Sequence, residues 1–170
     1  MINIAIIGYG YWGPNLVRNF SSAKDCTAHT VVDFRTDRLE VAKRNHSHIN
    51  TSGNTEDVFK NNEIDAVVIA TPVFTHFELA KKALESGKHV LLEKPMTASV
   101  AEAEQLIELA LQQQKVLMVD HTFLYTGAVQ KMKSMIDAGE IGKVKYFDST
   151  RINLGLFRPD VNVLWDLAPH

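Results

Sequence analysis

The stretch that decides the fold is Ile2-Asn3-Ile4-Ala5-Ile6-Ile7 followed by Gly8-Tyr9-Gly10-Tyr11-Trp12-Gly13-Pro14. Six residues, mostly β-branched and almost continuously apolar, predict a strand covered on both faces, which is the pattern of a central parallel strand. The glycines then fall at G-x-G-x-x-G spacing. Pro14 stands where a first helical turn tolerates a missing donor, and Leu16, Val17 and Phe20 recur at helical spacing beyond it. Strand, glycine turn and helix in that order make the turn a candidate cradle for a dinucleotide diphosphate. The first glycine permits the tight turn, the second lets the diphosphate approach the backbone, and the third allows close helix packing. Gly8, Gly10, Tyr11, Trp12 and Gly13 are therefore candidate cofactor-binding residues.

Working outward, Thr27 to Val32 reads as a second strand ending at Asp33, 20 residues beyond the last glycine. An acidic side chain at that place can accept hydrogen bonds from the adenosine ribose hydroxyls, which favours NAD. Arg35 follows closely and is the alternative, a partner for the 2′-phosphate of NADP. Asp37 to Asn45 reads as a helix, His46 to Thr51 as a weak strand, and Asn54 with Asp57 as the cap of a short helix. Ala66 to Ala70, His89 to Leu92 and Val116 to Val119 are further buried strands. Between them lie a helix from Thr75 that stops at Gly87 and a helix opened by the Ser99/Glu102 capping box, its stripe from Val100 to Leu111 read as core. Repeated strand–helix alternation predicts an α/β fold, a Rossmann-type doubly wound parallel sheet, over residues 1–120.

After Asp120 the texture changes. A helix from Thr126 to Ala138, then a strand from Val144 to Ile152 with polar residues interleaved, predicts that 121–170 opens an α+β unit that is incomplete. The segment Val161 to His170 reads as ending within an element. An unpaired strand and an apolar tail also raise the expectation of self-association, a homo-oligomer formed through the C-terminal portion.

Composition narrows the function classes. The 170 residues carry 18 Lys plus Arg against 20 Asp plus Glu, a net charge of −2, with 45% hydrophobic residues. Disorder is disfavoured by that apolar fraction, and a nucleic-acid or membrane-surface partner by the balanced charge. No apolar run reaches the roughly 20 residues of a membrane span. One cysteine, Cys26, forms no intramolecular disulfide, and it suits a reducing cytoplasm. His46 and His48 have no acidic or cysteine partners at ligand spacing, so no metal site is expected.

The segments Ala70-Thr71-Pro72 with His76, and Leu84-Glu85-Ser86-Gly87-Lys88-His89-Val90-Leu91-Leu92-Glu93-Lys94-Pro95, together with the glycine turn, resemble the Gfo/Idh/MocA oxidoreductases over about residues 1 to 120. Gly10 to Leu16 and Trp165-Asp166-Leu167-Ala168-Pro169-His170 look like members acting on nucleotide-linked sugars. The resemblance implies hydride transfer between a nicotinamide and a sugar carbon, with a side chain handling the hydroxyl proton. It implies a sugar or nucleotide-sugar substrate, among them a UDP-sugar uronate oxidised at carbon 3. Lys94 matches the family's lysine, and Asp166 with His170 its Asp-x-x-x-His pair; these three are the expected catalytic residues, the alternatives being a solvated loop lysine paired with Glu93 and a capping Asp with a surface His. Were that last segment helical, both side chains would share a face, with Pro169 in a first turn. Thr71, Pro72, His76, Glu93, Lys94 and Pro95 are expected around the coenzyme, with a cis peptide before Pro95 as the family often has. His76 has the alternative of capping or packing at its helix start. His121 and Tyr125 are candidates for the substrate or for packing between domains, as is Phe123, and Arg151 and Arg158 for a sugar carboxylate or diphosphate or for surface pairing. A full member also carries a large C-terminal antiparallel sheet that builds most of the sugar site. The expectation for this chain is thus a truncated enzyme, the alternatives being a non-catalytic dinucleotide-binding fragment or a self-associating module.

Overall fold

The computed structural model describes residues 1–150 and 161–169. The chain forms two compact units, Met1–Asp120 and His121–His170. In the first, strands β1 (Ile2–Ile7), β2 (Cys26–Val32), β3 (Asn50–Ser52), β4 (Ala66–Ile69), β5 (His89–Leu92) and β6 (Leu117–Val119) alternate with helices. These are α1 (Gly13–Ser22), α2 (Thr36–Asn45), α3 (Glu56–Phe59), α4 (His76–Glu85) and α5 (Val100–Gln112). All strand pairs are parallel, in the order β3-β2-β1-β4-β5-β6. The chain reverses its direction of winding between β1 and β4, and in open parallel sheets the ligand crevice lies at that switch point, at the carboxyl ends of the strands.

The apolar runs place residues alternately on the two faces. From β1, Ala5 and Ile7 join one core with Val67, Ile69, Ala80, Leu84, Leu92 and Leu106, while Ile4 and Ile6 join the other with Leu16, Val17, Val31 and Ala42. Helices α3, α4 and α5 cover the first face and α1 and α2 the second. Period-two alternation on a strand buried twice leaves no polar position, which is why Ile4–Ile7 of β1 and the whole of β4 read as unbroken apolar runs.

Helix boundaries follow local chemistry. Ser99 caps α5 by accepting from the Glu102 amide at 3.3 Å, while Glu102 Oε2 accepts from the Ser99 amide at 3.1 Å. Gly87, in the left-handed region at φ +73°, follows α4. The Asn54 side chain accepts from the Glu56 amide at 3.1 Å and sets the start of α3, although the residue flanking that helix is Thr55. The α5 stripe differs from expectation: Leu106 and Ala110 are buried, but Val100, Ile107 and Leu111 are exposed. Periodicity reports which face is apolar, not how much surface is there to cover it, and the sheet edge beside α5 is only the three-residue β6. Met96, Ile107, Leu111 and Leu117 line an open groove of about 310 Å³ there.

In the second unit, α6 (Gly127–Asp137) lies within the expected span and a short helix α7 (Val163–Leu167) follows. Asn162 caps α7 by accepting from the Trp165 amide at 2.9 Å. Residues 144–150 form no strand and are exposed; 151 and 152 lie outside the described residues. A strand exists only by pairing, and no described segment pairs with this one. Pro169 follows α7 rather than opening a helical turn, because the helix has already ended at Leu167. No helix among the described residues is long and apolar enough to cross a membrane.

Candidate functional site

The candidate residues of the first unit gather at the carboxyl ends of β1, β2, β4 and β5. Gly8 leaves β1 with its amide donating to the Val32 carbonyl at 2.8 Å, and Ala70 donates to the Ile7 carbonyl at 2.8 Å, so the glycine turn and the turn after β4 lie side by side. At φ +101°, Gly8 holds a conformation that L side chains rarely adopt, and a Cβ there would stand 2.5 Å from the Ala70 carbonyl oxygen. A Cβ on Gly13 would collide with the Gly8 carbonyl oxygen. These two glycines are therefore fixed by backbone packing. Gly10 is different. Its φ lies outside the left-handed region, and no atom of the described residues lies within 4 Å of where its Cβ would be. None of the described residues requires glycine at this position, and the open face above its backbone is the space a diphosphate needs. The first turn of α1 adjoins it, with amides that have no partner inside the helix and the positive end of the helix dipole. The residues present thus fit the diphosphate of a dinucleotide coenzyme. Tyr11 is exposed and Trp12 partly so, both on this rim.

Asp33, 7% exposed at the end of β2, is joined to the turn directly: Oδ2 accepts from the Tyr9 amide at 2.8 Å and Oδ1 from the Arg35 amide at 2.9 Å. The Arg35 Nε stands 3.7 Å from Oδ1, so the two candidate selectors of the coenzyme ribose pair with one another.

On the other side of the switch point, Thr71 and Thr75 hydroxyls lie 2.6 Å apart, and Thr75 donates to the Pro72 carbonyl at 2.7 Å. His76, expected at the coenzyme or in packing, is 1% exposed, with Nδ1 3.0 Å from the Pro95 carbonyl oxygen and Nε2 2.9 Å from that of Thr71. Its ring ties the turn after β4 to the turn after β5. The Lys94–Pro95 peptide is cis. Lys94 is half-buried at the end of β5, beside Glu93.

Glu93 has a partner that the sequence reading did not assign a role. Asp120 follows β6, its amide donating to the Leu92 carbonyl at 2.8 Å, and the pairing of Leu92 with Val119 sets it beside Glu93. Burial and then Asp120 push the Glu93 carboxyl up to about 8, against a weaker opposing pull from Lys94. Only the position of Asp120 at the end of an apolar run, where a site residue of a parallel sheet belongs, could have signalled it.

In the second unit, His121 Nδ1 lies 2.9 Å from the Pro169 carbonyl oxygen, Phe123 and Tyr125 lie exposed in a short 3-10 turn, Thr122–Tyr125, and Asp166 sits half-buried in α7. Arg151, Arg158 and His170 lie outside the described residues.

This geometry accords with the comparison to known proteins. Residues 2–121 match the model of an oxidoreductase family with an NAD-binding Rossmann fold, GFO_IDH_MocA. The chain belongs to the Gfo/Idh/MocA oxidoreductases. Members of this family bind NAD or NADP and include dehydrogenases of sugar-like substrates. The chain is similar to the uncharacterized oxidoreductase YdgJ of Escherichia coli, 32% identical over 181 residues, covering 99% of this chain and 51% of YdgJ. It is 38% identical over 111 residues to UDP-N-acetylglucosamine 3-dehydrogenase of Acidithiobacillus ferrooxidans, covering 64% of this chain and 34% of that one. Among solved structures, an NAD-binding protein from Listeria innocua superimposes with a TM-score of 0.77 at 32% identity, covering 84% of this chain and 42% of the other. The chain thus spans about half the length, or less, of these Gfo/Idh/MocA relatives.

Proposed function

We propose that this chain is the coenzyme-binding portion of an NAD-dependent dehydrogenase acting on a sugar or nucleotide-sugar hydroxyl carbon, a UDP-sugar uronate 3-dehydrogenase being the specific form of that reading. The observation that carries it is Gly10, a glycine that neither φ nor packing requires, facing open space at a helix start. Asp33 favours NAD over NADP because a buried carboxylate already bonded to the glycine turn would repel a 2′-phosphate, and Arg35, the group that would welcome one, is paired with it. When bound, the nicotinamide supplies the hydride acceptor. In this reading Lys94 holds the substrate hydroxyl and shares its proton, Glu93 and Pro95 frame the coenzyme beside it, and Thr71, Pro72 and His76 shape the opposite wall. Asp166 and His170 are assigned to proton transfer by family match, and His121, Tyr125, Arg151 and Arg158 to the substrate. The similarity to a UDP-N-acetylglucosamine 3-dehydrogenase supports a nucleotide-linked sugar. A reducing cytoplasm and a homo-oligomer built through residues after 120 complete this reading, with residues 121–170 opening the substrate domain.

The test is Gly10→Ala, read by NADH fluorescence and NAD calorimetry. The variant is expected to melt with the parent, since a methyl there meets nothing, and to bind coenzyme at least about tenfold more weakly because the methyl occupies the diphosphate's approach. No heat and no fluorescence change from the parent chain would overturn the proposal. Coenzyme binding without NADH formation on nucleotide-sugar uronates would select the non-catalytic fragment.

A further inference from the structure

We propose that His76 stands in the fold as an imidazolium, a charged clamp between the turn after β4 and the turn after β5, so that the tie between these two walls of the site depends on pH. This goes beyond the dehydrogenase reading and rests on it only for what the walls hold. Donors and acceptors decide the charge. Nδ1 lies 3.0 Å from the Pro95 carbonyl oxygen and Nε2 2.9 Å from that of Thr71. A carbonyl oxygen can only accept, so each nitrogen bonds its partner only when it carries a hydrogen. Neutral imidazole has a single N–H. In either tautomer the other nitrogen turns a lone pair towards a carbonyl oxygen at hydrogen-bond distance, and with the residue 1% exposed, bulk water does not relieve that contact. The second proton converts the repulsive contact into a charge-assisted hydrogen bond. Burial works against the cation, and the two carbonyl dipoles aimed at opposite sides of the ring offset that cost. The charged groups carried by the elements that meet at the ring are Glu93 and Lys94 on the turn after β5 and Glu78, exposed, on α4; residues 70–75 carry none. The sheet sets the span. β4 and β5 are parallel neighbours with Ile69 opposite Leu92, so their turns leave side by side and the ring bridges them. The turn held through Thr71 also abuts the glycine turn, since a Cβ on Gly8 would lie 3.0 Å from the Thr71 Cγ2. Loss of the second proton leaves one carbonyl without its donor and releases one wall from the other. His76 is a positioning residue; it is not asked to touch the coenzyme.

The first experiment uses the coenzyme-free chain, so its outcome is independent of whether NAD binds. Histidine ring nitrogens labelled with nitrogen-15 are followed by long-range proton–nitrogen correlation from about pH 5 to 10, with the carbonyl carbons of Thr71 and Pro95 alongside. An ordinary histidine loses its second proton at about pH 6.5. The His76 signals, assigned by their loss in His76→Gln, are expected to show two protonated nitrogens at about pH 7.5, and both carbonyl carbons are expected to shift with the same midpoint when the proton leaves. Glu93→Gln is expected to keep both nitrogens protonated at that pH, because the carbonyls and not a carboxylate hold the proton. NADH fluorescence is then expected to report affinity falling at least about threefold through the His76 midpoint in the parent. His76→Gln, whose amide sets a donor against one carbonyl and an oxygen against the other, is expected to bind more weakly and without that step. Circular dichroism identifies a variant that fails to fold, in which case sequential backbone assignment of the parent replaces it and the parent titration decides. One unprotonated His76 nitrogen at about pH 7.5, loss of the second proton in Glu93→Gln, or the same pH step in NADH binding by parent and His76→Gln overturns the proposal. Absence of NADH binding at every pH overturns the coenzyme reading, and the clamp then stands or falls on the nitrogen and carbonyl resonances.

Discussion

The two ends of the sheet share one interior and differ in what they do with polar groups. At the amino end, side chains are spent on backbone. Lys88, 5% exposed, donates to the Asn61 and Ile64 carbonyls at 2.6 and 2.7 Å, Asp65 accepts from the Asn3 amide at 2.8 Å, and His89 accepts from the Val116 amide at 3.0 Å. At the carboxyl end Asp33 and His76 are also bonded to backbone, but among the described residues Gly10 faces open space, Glu93 keeps a buried oxygen without a donor, and Glu93 and Asp120 stand together. The difference teaches where stability is made and where it is forgone. A sheet whose lower rim is closed by satisfied hydrogen bonds can leave its upper rim under-satisfied, and such rims are where ligands bind.

The contrast makes predictions. The largest effect is expected from Lys88→Met, which strips two buried carbonyls of a charged donor and should lower stability by about 2 kcal/mol, measured by denaturant unfolding. Its coenzyme affinity should match the parent's; a parallel loss of NADH binding would break the division between the rims. Next is a pH effect at the carboxyl end. The folded state holds the Glu93 proton up to about 8, whereas the unfolded chain releases it near its ordinary value of 4.5, so the folded state binds more protons in between. The contribution of this group is fully present below the ordinary value and is lost as pH rises towards 8. Glu93→Gln should flatten the fall in melting temperature across that window, and an unchanged slope would place its source elsewhere. Smallest is Ser99→Ala, which removes one side of the capping box and should cost about 1 kcal/mol with no change in coenzyme affinity, as read by thermal melting beside NADH titration.

Much of this was legible in the sequence because the chemistry was local. The unbroken, β-branched apolar run Ile4 to Ile7, stopped by Gly8, suits a strand buried twice, and the glycine turn, Asp33 and the Ser99/Glu102 box are each defined within a few residues. What escaped was set by distance in the chain. Asp120 matters because β6 returns beside β5, which no spacing announces. The burial of Lys88 depends on carbonyls at positions 61 and 64. The exposure of Ile107 and Leu111 follows from the shortness of the neighbouring edge strand, and residues 144–150 carry a strand pattern but no ladder partner among the described residues. Pattern reports propensity, whereas burial and pairing report neighbours.

The bond from the Tyr9 amide to Asp33 has a practical consequence. The residue proposed to discriminate between the two coenzymes is also a strut of the glycine turn proposed to hold their diphosphate. Redesign towards the phosphorylated coenzyme by exchanging position 33 alone removes the acceptor for Tyr9 together with the repulsive charge. Asparagine returns only one oxygen where the carboxylate supplied two, so one of the amides at 9 and 35 goes without. Altered preference at this position comes tied to a looser grip unless a second substitution rebuilds the strut.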